Sequence, residues 1–198
     1  MMYEHLGDRP RIHDTAVVAP TAVISGDVEI GPSCQVLHGA VITAEGGPIT
    51  LGEHVIVMEN ALIRATAANA VHIGDHTLVG TLASIAGAIV GEEVFLASGA
   101  RVFNGALIGP RCEVRVNAIV QRRAVLPEGS VVPIGWVAVG DPVRLLSPDQ
   151  ADEIAAAMPD LDFPGHVFGV DRDTPDLMVQ LTERYASSLA RHAGDHRL

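Results

Sequence analysis

The sequence predicts an all-β fold, a parallel β-helix of six-residue repeats followed by C-terminal α-helices. Three observations carry this. An aliphatic residue recurs every six positions, a small residue stands two places before most of them, and glycine often follows them. The series runs Val18, Ile24, Ile30, Val36 and Ile42, then Leu51, Val57 and Ile63, then Ile73, Val79 and Ile85. After one five-residue step it continues through Val90, Leu96, Val102, Ile108, Val114, Val120, Leu126 and Val132. Ala16, Ala22, Ala40, Ala61, Ala83, Ala100 and Ala118 supply the small residues, and pairs such as Ile30-Gly31 and Leu51-Gly52 supply the glycines.

A period of six fits neither an α-helix, at 3.6, nor an alternating strand, at 2. Six residues make one short strand and one corner, and three such units close a triangular coil. Each aliphatic then stacks on its counterpart one coil away, and the small residue fits the cramped corner. The series predicts roughly six coils whose core runs as a column.

Two insertions interrupt it. Residues 43–48 (TAEGGP) and 65–70 (ATAANA) are expected to loop out of the prism, either as functional loops or as plain variation in length. After Pro133 the repeat decays, so residues 1–140 read as the β-helix and 141–198 as an extension. Ser147-Pro148-Asp149 reads as a helix start for residues 148–157, ended before Pro159. Residues 159–172 read as loop. Asp173-Thr174-Pro175-Asp176 opens a second helix to about His192, with an apolar stripe of Leu177, Leu181, Tyr185 and Leu189. These helices are expected to cap the prism or pack along it, and the last six residues to be disordered.

Composition sets limits. Of 198 residues, 48% are hydrophobic but only 4% aromatic, which suits narrow repetitive packing. A net charge of −11 argues against phosphate-backbone binding, so no nucleic-acid partner is expected. No 18-residue apolar run or signal-peptide pattern stands out, so no membrane partner and a cytoplasmic location are expected. Cys34 and Cys112 read as reduced, buried fillers.

The segment from Arg11 to about Leu146 resembles the γ-class carbonic anhydrase family of the hexapeptide-repeat superfamily. The stretches AVVAPTAVISGDVEIGPSCQVLHGAVI, IVMENALIRA, VHIGDHTLVGTLASIAGAIVG and VAVGDPVRLL carry the resemblance. It implies a left-handed helix, although general crossover rules favour the right-handed one. It also implies a homotrimer with zinc sites at the subunit interfaces, using histidines from two chains. At the three family histidine positions this chain has Arg64, Thr81 and Ala86. The spacing puts Arg64 and Ala86 one coil apart on one face, about 4.8 Å apart in strand spacing. A guanidinium repels a cation, and Thr81 and Ala86 do not replace zinc's usual donors, so no zinc is expected there, and no cofactor apart from coenzyme A under an acyltransferase alternative. The family's R-G-D motif reads His38-Gly39-Ala40, its orienting glutamine is Met58, and Glu45 is the counterpart offered for a first-loop glutamate.

Arg64 is the leading candidate. It would bind a small carboxylate, phosphate or bicarbonate, or else form an inter-subunit salt bridge. His38 suits a general base, as in hexapeptide acyltransferases, or a packed interface residue. Met58, Glu59, Asn60, Thr81 and Ala86 are candidates for the substrate-binding surround. His54 and His76 are expected to stack one coil apart, either on a metal or as solvated corners. Asn104 reads as a structural corner. Three function classes follow: a non-zinc enzyme acting on a small anion at the trimer interface, a coenzyme A-dependent acyltransferase or thioesterase, and a catalytically silent scaffold.

Overall fold

The computed structural model describes residues 1–157, 164–165 and 169–198. Among these, the strands form three sheets of ten, seven and seven strands. Successive strands pass from one sheet to the next, and each sheet pairs in parallel with the coils above and below. This is a triangular β-helix. Ile24, Ile42, Ile63, Ile85, Val102 and Val120 meet in register down the ten-stranded face. None of the predicted inward aliphatics from Ile24 to Val132 is more than 3% exposed, and the small residues from Ala22 to Ala118 fill the corners beside them. The helix is longer than the predicted six coils. Ile12 stands six places before Val18, and strands Arg11–Ile12 and Met2–Glu4 add a further layer.

The two insertions do not simply loop out. Strands Val41–Glu45 and Leu62–Thr66 lengthen to five residues and pair throughout, Ala44 with Ala65 and Glu45 with Thr66. Small side chains permit this, since Ala44 and Ala65 are buried where larger residues would clash. The chain then turns tightly, with Thr66 bridging to Asn69.

Corners require left-handed backbone. Asn60, His54, His76 and Asn117 adopt φ near +55°, a conformation asparagine tolerates better than most residues. Gly26, at φ +80°, follows strand Val23–Ser25, and a Cβ there would stand 2.8 Å from the Ala44 carbonyl oxygen. Gly26→Ala is therefore expected to destabilise the fold by about 1–3 kcal/mol, from left-handed strain and the backbone contact. An urea-unfolding midpoint equal to wild type would count against this account.

Both ends of the ten-stranded face are covered by antiparallel strands. Arg144–Leu146 pairs with Val137–Val139, and His196–Arg197 pairs with Met2–Glu4. Order in His196–Arg197 corrects the expectation of a disordered terminus. The first strand offers an open edge, and the terminus supplies the missing partner. These strands, rather than helices, cap the edges. A division at residue 140 falls inside the hairpin that extends the sheet to Leu146. The first helix spans Ala151–Ala156, shorter than predicted, because Ser147-Pro148-Asp149 forms the turn before it. The predicted loop at 159–172 lies largely outside the described residues. The second helix spans Leu177–Leu189 and passes through a 3-10 turn, Ala190–Gly194, into the final strand. Leu181 is buried, but Tyr185 and Leu189 are 41% and 37% exposed, so only part of the predicted stripe is covered.

Cys34 and Cys112 are unpaired and buried, and burial pushes both thiols up. No helix among the described residues is long and apolar enough to cross a membrane.

Candidate functional site

Strand alternation turns every second residue of the ten-stranded face outward. Register then lines up Tyr3, Ser25, Thr43, Arg64 and Ala86 as one column across five coils. The sequence placed Arg64 and Ala86 one coil apart, and the register agrees. The returning C-terminal segment covers the upper part of this column. Between them lies a cleft of about 530 Å³, lined by Tyr3, Ser25, Thr43, Glu45, Arg64, His192 and Asp195 among others.

Glu45 anchors the cleft and is only 8% exposed. The Thr43 hydroxyl donates to its Oε1 at 2.8 Å. The Arg191 guanidinium donates to Oε2 at 3.1 Å, and His192 Nε2 lies 3.1 Å from the same oxygen. Burial alone pushes the Glu45 carboxyl up. The Thr43 hydrogen bond and the positive charges of His192, Arg64 and Arg191 outweigh it and hold the carboxyl below its usual range. Arg64 Nε is buried and has no hydrogen-bond partner among the described residues, and the same holds for Ser25 Oγ. Buried donors left this way are costly, which makes them candidates for contact with a bound molecule.

Behind Glu45, His5 and His192 stack with ring centroids 4.5 Å apart. Asp195 joins their near edges: Oδ1 is 2.6 Å from His5 Nδ1, and Oδ2 is 2.9 Å from His192 Nδ1. Burial raises the Asp195 carboxyl, but these histidine contacts prevail and hold it low.

Of the sequence candidates, Arg64, Ala86 and Glu45 come together on this face. The others do not. His38, Met58, Glu59, Asn60 and Thr81 sit at or beside the preceding corner, ahead of the ten-stranded face. Asn60 and Arg64 are four residues apart, with the left-handed corner at Asn60 turning the chain between the two faces. Thr81 Oγ1 donates to Glu59 Oε2 at 3.4 Å. His38 is exposed, with Nδ1 2.8 Å from the Thr21 hydroxyl. Asn60 is an exposed left-handed corner, and its Oδ1 occupies the space where a Gly39 Cβ would fall. His54 and His76 do stack, at 5.0 Å and 9°, at exposed corners. His5, Arg191, His192 and Asp195 were missed by sequence reasoning. They lie outside the repeat, and nothing local links position 5 to position 192.

The fold defines the class: this is a left-handed parallel β-helix of hexapeptide repeats. By sequence it is similar to the mitochondrial gamma carbonic anhydrase 1 of Arabidopsis thaliana, at 30% identity over 152 residues, 74% of this chain and 53% of that protein. The chain thus spans about half the length of that relative. No family model matches. Among solved structures, it resembles a hexapeptide transferase family protein from Anaplasma phagocytophilum over 96% of both chains, with a TM-score of 0.64 and 17% identity. It also resembles PerB from Caulobacter crescentus, solved with CoA and GDP-perosamine, over 66% of this chain and 56% of that one, with a TM-score of 0.52 and 27% identity.

The resemblance to γ-class enzymes implies zinc at positions 64, 81 and 86. A guanidinium, a hydroxyl and a methyl group do not fit that ion. Arg64 faces Ala86 directly across the ladder.

Proposed function

We propose that the chain binds a small carboxylate or bicarbonate-like anion in the Arg64 cleft and acts on it by proton transfer, without zinc at positions 64, 81 and 86. The observation that carries this is the half-buried Arg64, whose buried Nε lacks a hydrogen-bond partner among the described residues, in a cleft that also holds an ionised carboxylate. Arg64 would grip the anion through its planar fork, and the Ser25 hydroxyl, also without a partner among the described residues, would add a donor. Glu45, held ionised, would accept a hydrogen bond from the ligand's hydroxyl and, as a weakened base, take that proton only as the hydroxyl becomes more acidic in the reaction.

Homotrimer assembly is part of this reading. The corner ahead of the ten-stranded face exposes Leu82, Val116 and Ile134, at 64%, 41% and 65%. An apolar edge of this kind suits a subunit contact. Such a contact would bring His38, Glu59, Asn60 and Thr81 of one subunit near Arg64 of the next.

The test is calorimetric titration with bicarbonate, acetate and phosphate, alongside acetyl-CoA. Saturable binding of a small anion, with thermal stabilisation, is expected. Heats indistinguishable from dilution for all three anions would remove the proposal. A second reading is coenzyme A-dependent acyl transfer, favoured by the exposed His38 imidazole held by Thr21 and by the likeness to PerB. It predicts acetyl-CoA binding and acyl transfer that disappears in His38→Asn. Acetyl-CoA binding with no response to small anions would favour this second reading.

A further inference from the structure

We infer that His5, His192 and Asp195 form a binding site for a divalent transition metal ion, zinc being the best match, separate from positions 64, 81 and 86. One ligand atom from each lies within 4.8 Å of the others. Two imidazoles and a carboxylate are a donor set suited to zinc and its neighbours.

The hydrogen bonding supports this placement. His192 stands between two carboxylates, with Asp195 Oδ2 at 2.9 Å from Nδ1 and Glu45 Oε2 at 3.1 Å from Nε2. A neutral imidazole carries one N–H and cannot donate to both. His5 has the complementary problem. It is 1% exposed, its Nδ1 faces Asp195 at 2.6 Å, and its Nε2 has no hydrogen-bond partner among the described residues, lying 3.9 Å from Glu45 Oε2. If Nδ1–H donates to Asp195, the Nε2 lone pair points toward a carboxylate oxygen. A metal on the Nδ1 edge resolves both problems. Each neutral ring gives its Nδ1 lone pair to the ion and directs Nε2–H at Glu45. Glu45 then plays the outer carboxylate that orients ligating histidines.

Electrostatics selects the same edge. Arg191 bonds Glu45 Oε2, and Arg64 acts on the same carboxylate, so the Nε2 edge is already positive. At the Nδ1 edge both rings meet Asp195, whose charge would partly neutralise the ion. Ligands of a tetrahedral zinc at about 2.0–2.2 Å stand roughly 3.4 Å from one another. The present 2.6 and 2.9 Å contacts need to open by less than about 1 Å, and the stacked rings, 20° from parallel, must turn so that both Nδ1 lone pairs converge on the ion. Asp195 and His192 also line the Arg64 cleft, so an open coordination position would face the anion there.

Chelator-stripped full-length protein should be titrated with zinc by calorimetry and with cobalt(II) by visible absorption. One ion per chain is expected, with cobalt bands of a four-coordinate centre. Asp195→Asn and His192→Ala should each weaken binding at least about tenfold, and Glu45→Gln about ten- to hundredfold. His54→Ala should leave binding unchanged. Histidine side-chain NMR of unmodified protein offers a check without substitution: zinc should shift two histidines together. Arg64→Ala should keep the ion, so loss of anion binding and loss of metal binding are distinguishable. Absence of binding, or affinity unaffected by Asp195→Asn and His192→Ala, overturns the inference.

Discussion

Ile63→Ala is expected to lower the unfolding free energy by about 2–5 kcal/mol. Ile63 is fully buried and sits between Ile42 and Ile85 in the column, so truncation opens a cavity between two coils. The β-helix makes relaxation difficult. Each coil is hydrogen-bonded to the coils on both sides, so the walls of the cavity cannot close without breaking the ladder. At about 2–4 °C per kcal/mol for a chain of this size, the midpoint should fall by roughly 4–20 °C. Leu107→Ala, outward and 44% exposed, is the control and should change stability by less than about 1 kcal/mol. Equal losses for the two variants would show that the column is not what holds the coils together.

Arg64→Ala is expected to weaken binding of the small anion about ten- to hundredfold, the equivalent of about 1.5–3 kcal/mol for a charge-assisted hydrogen bond. Stability should change little. Glu45 keeps its bonds from Thr43 and Arg191, so removing Arg64 does not strand a buried carboxylate. Arg64→Lys should recover only part of the affinity, because an ammonium retains the charge but not the planar fork. Calorimetry on the three proteins measures the series. If Arg64→Ala binds bicarbonate or acetate as wild type does, the guanidinium is not the anchor and the cleft has another purpose. The alternative for Arg64, an inter-subunit salt bridge, predicts the opposite pattern: unchanged anion affinity and weakened assembly, read by sedimentation.

These variants also separate two kinds of information. The repeat is local. A six-residue spacing of aliphatics specifies strand, corner and inward direction together, so Ile63 could be identified as core from its neighbours alone. Arg64 and Ala86 followed from the same arithmetic, because register in a helix of fixed period is counted along the chain. The insertions were harder. Their lengths broke the period, but whether TAEGGP and ATAANA would bulge or lengthen two strands depended on each other. Ala44 and Ala65 pair only because both insertions occur at the same corner.

The sequence by itself determined the parallel β-helix, its buried column and the outward place of Arg64, because each rests on contacts whose chain separation is set by the repeat. The tertiary structure alone decided the surroundings of that arginine. Residues 191–197 return to the first strand, cover its open edge, and bring Arg191, His192 and Asp195 onto Glu45 and His5. No periodicity links those positions. Their meeting depends on an unpaired strand edge and a buried carboxylate that needs positive partners, and such requirements are satisfied in space rather than along the chain.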